Sequence, residues 1–133
     1  MTVSIDFKMF HPEIDAMHQS FADLINDLNA EIVNQRRDKP EIMRILKEIM
    51  TNCTNHFAHE EKLYKEKSFP DAQSHAKYHA QIVEQLRASM NRVDHSDLVK
   101  VWVEEALIIE GLVKDHELLE DRKYVEFIRD NRQ

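Results

Sequence analysis

Apolar residues recur at intervals of three and four along most of the chain, the spacing that lays one continuous stripe along an α-helix. From Glu13 to about Gln35 the stripe is Ile14, Met17, Phe21, Leu24, Ile25, Leu28 and Ile32. A polar connection, Arg36 to Pro40, follows, and Pro40 suits the first turn of a second helix. That helix carries Ile42, Ile45, Leu46, Ile49, Met50 and Cys53, and its stripe then continues through His56, Phe57, Glu60 and Leu63. At Ser68-Phe69-Pro70 the chain is expected to reverse, with Ser68 as cap and Pro70 in the first turn of a third helix. The third stripe, from about Pro70 to Asn91, is Ala72, His75, His79, Ile82, Val83, Leu86 and Met90. Asp94-His95-Ser96-Asp97 offers capping residues for a last helix bearing Leu98, Val101, Trp102, Ala106, Ile109, Val113, His116, Asp121 and Tyr124. Val3 to Phe10 lacks the rhythm and ends at His11-Pro12, so it reads as an extended N-terminal arm. Helices of roughly 20 to 28 residues, about 30 to 40 Å long and joined by short connections, predict an all-α, antiparallel, up-down-up-down four-helix bundle.

Composition narrows the function more than the fold. The 133 residues suit one domain, taken as 1–133, and a single Gly with three Pro leaves little to interrupt helices. One Gly also cannot build a phosphate-cradling loop or a dinucleotide fingerprint. The net charge of -7, without a clustered basic face, argues against nucleic acid. No apolar run approaches the roughly 20 residues of a membrane helix, and no basic-then-apolar leader is visible at the amino terminus, so a soluble, cytoplasmic protein is expected. Cys53 is the sole cysteine, which excludes an internal disulfide.

The chemistry lies where histidines interrupt the stripes. His56 and Glu60 are four apart, as are His75 and His79, so each pair stacks on one helix face. His18 sits at the edge of the first stripe, and His116 and Asp121 are separated by about 140° around the fourth helix. Seven polar side chains in one core are costly unless a common partner satisfies them, and metal ions do so economically. Five imidazoles and two carboxylates exceed the needs of one tetrahedral zinc. They suit two six-coordinate ions bridged by the carboxylates, with one position left for an exogenous ligand, and the mixed nitrogen and oxygen donors suit iron. Two ferric ions with a bridging oxide carry a surplus of about four charges, which two carboxylates reduce to about two. His11, His59 and His95 are read as surface residues, Cys53 as small core filling, and Phe57, Tyr64, Phe69, Tyr78, Trp102 and Tyr124 as packing.

The ordered set Glu13-Ile14-Asp15-Ala16-Met17-His18 with Phe21, His56-Phe57-Ala58-His59-Glu60-Glu61, His75-x-x-x-His79, and His116-x-x-x-x-Asp121 with Tyr124 resembles hemerythrin, in particular the bacterial hemerythrin-like domains, over essentially the whole chain. The resemblance implies that one iron takes His75, His79 and His116. The other takes His18 and His56 and keeps the open position, with Glu60, Asp121 and an oxo or hydroxo group as bridges. It implies reversible binding of O2, or of another small ligand, without catalytic residues. Three positions depart from the family's habit: Glu117 directly follows the fourth-helix histidine where an apolar residue is common, Leu112 replaces a frequent Trp, and Met17 a frequent Gln. Glu117, Val113 and Leu112 are therefore expected to line the ligand pocket. A carboxylate there would be able to ligate the open iron or protonate a bound ligand. Two alternatives to oxygen binding stay open at this stage, an oxygen or redox sensor domain with a signalling partner domain and a peroxidase-like di-iron enzyme using Glu117.

Overall fold

Local hydrogen-bonding chemistry sets where the helices start and stop. The structure, a computed structural model, describes residues 12–33, 38–116 and 122–130, and the side chains of residues 12–14, 124, 125, 128 and 129 are outside that description. The expected arm, Glu117 and Asp121 also lie outside the described residues. The elements are α1 (Pro12–Val33), α2 (Lys39–Glu66), α3 (Ala72–Asp94), α4 (Val99–Asp115) and α5 (Arg122–Asp130), with no strand among the described residues. Asp38 caps α2 by accepting the Glu41 backbone N–H at 3.1 Å, and Pro40 occupies the first turn as expected.

The α2–α3 turn corrects the sequence reading. Ser68 does not cap α3; it ends α2 in the left-handed region, with φ 54°. Its N–H bonds to the Lys65 carbonyl at 3.2 Å and that of Phe69 to the Tyr64 carbonyl at 2.9 Å, the two bonds of a Schellman motif. The accompanying apolar contact is Phe69 on Tyr64, rings 5.3 Å apart. Pro70 therefore falls in the turn, and α3 begins two residues later behind Asp71, whose side chain makes no capping bond. At the next junction Asp97 pairs with Lys39 at 2.8 Å instead of capping α4. Ser96 does the local work, accepting the Leu98 N–H on its hydroxyl and the Trp102 indole N–H on its carbonyl. Leu98, expected on the buried stripe, is 66% exposed because it precedes the helix.

α1 packs on α2, α2 on α3, α3 on α4 and α4 back on α1, a closed ring. Cross-helix pairs give the directions. Ser20 meets Asn52, and Glu60 meets His79, so sequence neighbours run antiparallel. Across the diagonal, Lys39 meets Asp97 at one end while Phe57 meets His116 toward the other, so α2 and α4 run parallel. That is the up-down-up-down bundle. α5 touches the α2–α3 corner through Phe127, whose ring lies 5.2 Å from that of Phe69.

The interior is divided along its length. Ile25, Leu28, Ile42, Leu46, Ile49, Ile82, Leu86 and Ile109 are fully buried and form the aliphatic part. Each contributes about 1.5–3 kcal/mol on leaving water. The histidines gather at the other end, where α1 and α3 begin and α2 and α4 finish. A second polar layer interrupts the aliphatic part: Glu105 is buried on α4 and bonds Arg92 of α3, whose guanidinium also donates to Ser89 at 3.2 Å.

Candidate metal centre

Four helices each carry a histidine to the same end of the bundle. His18, His56, His75, His79 and His116 are all buried together with Glu60, whereas His59 and His95 are exposed, as the sequence reading expects. Glu60 is the pivot. One carboxylate oxygen, Oε1, lies 2.5 Å from His56 Nε2, and the other, Oε2, lies 3.1 Å from His79 Nε2 and 3.5 Å from His116 Nε2. Ligand atoms of Glu60, His79 and His116 all fall within 4.8 Å of one another. His18 joins from the His56 side with ring centroids 5.9 Å apart, and His75 from the His79 side at 6.2 Å. The carboxylate thus divides the histidines into two groups, His18 with His56 and His75 with His79 and His116.

These approaches are close without being hydrogen bonds. His56 Nε2, both ring nitrogens of His79 and Glu60 Oε1 are buried and lack a partner with hydrogen-bond alignment. Buried polar atoms left in that state are expensive. Cations lying between nitrogen and oxygen lone pairs satisfy them together, so the donors present fit ions of the iron type. The electrostatics agree: burial alone would raise the Glu60 pKa, but His116, His56 and His79 outweigh it and hold the carboxyl well below its ordinary range.

Aromatic rings fix the imidazoles. Phe57 stacks on His79 with centroids 4.0 Å apart and planes 7° from parallel, and meets the His116 ring edge-on at 5.2 Å. Tyr78 stacks on His116 at 5.5 Å, and Phe69 meets His75 edge-on at 5.1 Å. Of the three expected pocket residues, Val113 is buried one turn before His116, Leu112 is half-buried, and Glu117 lies outside the described residues, as does Asp121.

Two contributors escape the sequence reading. Tyr64, taken there as packing, is buried and donates its hydroxyl to Glu60 Oε2 at 2.9 Å. Its position four after Glu60 on the same helix is the signal that pairs them. Glu61 places a carboxylate oxygen 3.6 Å from His79 Nδ1, behind the nitrogen that faces Glu60. At that separation the carboxylate is an electrostatic neighbour of the imidazole and not a hydrogen-bond partner.

Comparison with known proteins agrees with this geometry. Residues 9–128 match the family described as hemerythrin HHE cation binding domain. Myohemerythrin of Theromyzon tessulatum is 28% identical over 99 residues, covering 73% of this chain and 76% of that protein.

Proposed function

Since the chain belongs to the hemerythrin family, whose domain is a non-heme iron binder, we propose that it holds two iron ions and binds dioxygen reversibly at one of them. The observation that carries this reading is the divided carboxylate, with Glu60 Oε1 toward His56 and Oε2 toward His79 and His116. A single cation would draw both oxygens, or one of them, to one histidine group. Two cations call for a bridge.

In this reading His75, His79 and His116 would hold one ion and His18 and His56 the other, with Glu60 and, by resemblance, Asp121 serving both. With two imidazoles against three, the ion at His18 and His56 would be the one able to take an exogenous ligand. When bound, the iron pair supplies electrons that dioxygen takes up on binding and returns on release.

The protein's own part is to neutralise, orient and keep dry. Glu60, held ionised by the surrounding imidazoles, offsets the positive charge at the core. Tyr64 holds one of its oxygens by a hydrogen bond, and Phe57, Tyr78 and Phe69 prevent the imidazoles from rotating away. Val113 and the aromatic walls limit water at the centre, which favours release of dioxygen intact over irreversible oxidation.

Metal analysis of purified protein, with absorption spectra after anaerobic reduction and then on cycling between air and vacuum, tests the proposal. Two irons per chain and a spectrum that returns over repeated cycles support it. One metal per chain, or a single irreversible conversion in air, refutes it.

A further inference from the structure

α4 buries one face and leaves apolar residues on the other. Trp102, Ala106, Ile109 and Val113 point inward, whereas Val103, Leu107 and Ile108 are 37%, 48% and 46% exposed. Leu107 lies about 160° around the helix from the fully buried Ile109, so it faces outward. The outward line is Lys100, Glu104, Leu107, Gly111 and Lys114, at alternating intervals of four and three, the spacing of a seam between two helices. Val103 flanks that line on one side and Ile108 on the other.

Gly111 is the chain's sole glycine and stands inside a helix, where glycine is the least favourable residue after proline. Among the described residues nothing in its own fold requires it, since a Cβ added there would meet no neighbouring atom within 4 Å. A glycine on an outward seam leaves a hollow that a side chain from another helix can enter. The charges around it are little used. Glu104 has Lys100 at 3.9 Å, a long contact within the same helix, and Lys114 has no ion pair among the described residues.

We propose that a second copy of this chain docks on the outer face of α4, the two α4 helices antiparallel about a two-fold axis level with residue 109. Leu107 of each copy enters the hollow at Gly111 of the other, and Glu104 of each meets Lys114 of the other. The order of charges selects this register. A parallel pairing sets Glu104 against Glu104 and Lys114 against Lys114, and an antiparallel one centred on Leu107 sets Lys100 against Lys114. Two reciprocal ion pairs around two Leu–Gly contacts make a self-complementary patch, which is what a two-fold interface demands. One helix face of about four turns buries less than the roughly 1,200 Å² of a stable complex, so the association is weak and reversible.

The test uses the full chain as purified, in sedimentation equilibrium from about 10 μM to 1 mM, with a dissociation constant on the order of 100 μM expected. Leu107→Asp weakens dimerisation by roughly tenfold or more, because a carboxylate would be buried at the contact. Gly111→Ala separates the two roles of the glycine. The denaturation midpoint of dilute, monomeric protein rises because alanine favours helix, while dimerisation weakens by about fivefold because the Cβ occupies the hollow. Glu104→Lys weakens dimerisation by about threefold, and adding Lys114→Glu to it restores the parent affinity. A parent that stays monomeric throughout the range overturns the proposal, and if Leu107→Asp then lowers that monomer's melting temperature, another part of the chain covers the face. A dimer indifferent to Leu107→Asp and Gly111→Ala, or a double charge variant as weak as Glu104→Lys alone, overturns it as well.

Discussion

Replacing Tyr64 with Phe isolates the bond that steadies the bridging carboxylate. The ring stays, and with it the contacts to Phe69 at 5.3 Å and His75 at 4.9 Å, so packing changes little. What disappears is the hydroxyl that donates to Glu60 Oε2 at 2.9 Å, in a place with no access to water. A hydrogen bond to a buried charged acceptor is worth about 1.5–3 kcal/mol, and the acceptor left behind cannot recover it from solvent. In metal-free protein that amount appears as lost stability in urea denaturation at neutral pH. In loaded protein it appears as metal affinity weakened by about 10- to 100-fold, read by competition with a chelator. The double variant with Glu60→Gln supplies the control: once the carboxylate is gone, removing the hydroxyl should cost much less. Tyr64→Phe indistinguishable from the parent in both assays, or the same loss in the Glu60→Gln background, would refute the reasoning.

Other consequences follow from the same geometry. Ser68 occupies the left-handed position of the Schellman turn at φ 54°, so Ser68→Gly should stabilise the fold by about 1 kcal/mol, measured as a raised denaturation midpoint. Arg92→Met leaves the buried Glu105 carboxylate without its cation, and thermal melting should fall further than for Lys100→Met, which breaks only the exposed pair with Glu104. The pH dependence has a definite sign. The folded pKa of Glu60 lies below its unfolded value, so its contribution to stability is complete above the ordinary carboxylate range and is lost only as pH falls through the depressed value. The stability difference between the parent and Glu60→Gln, followed by urea denaturation of metal-free protein as pH is lowered, should shrink in acid, and a difference that stays constant or grows would contradict this.

Helix periodicity placed the four long elements because each stripe is made of residues that have nowhere else to go. His56, Glu60, His75, His79 and His116 stood out because each interrupts an apolar stripe, and all of them are buried. Glu105 did not stand out, although it interrupts the fourth stripe in the same way. Its partner Arg92 comes from another helix, and an acid on a long helix is ordinarily taken to face water. Ser68 misled because serine is a good helix cap and a poor left-handed residue, and tertiary packing of Phe69 on Tyr64 overrode its local preference. Tyr64 looked like packing because its ring does pack, on Phe69; its spacing of four from Glu60 is the signal of what the hydroxyl does.

The central claim is that Glu60 stands between two irons. Anomalous diffraction at the iron edge from crystals of the loaded protein tests it most directly. The account predicts two peaks, one on each side of the Glu60 carboxylate, the first beside His18 and His56 and the second beside His75, His79 and His116. A single peak, or a pair of peaks on the same side of that carboxylate, would contradict it.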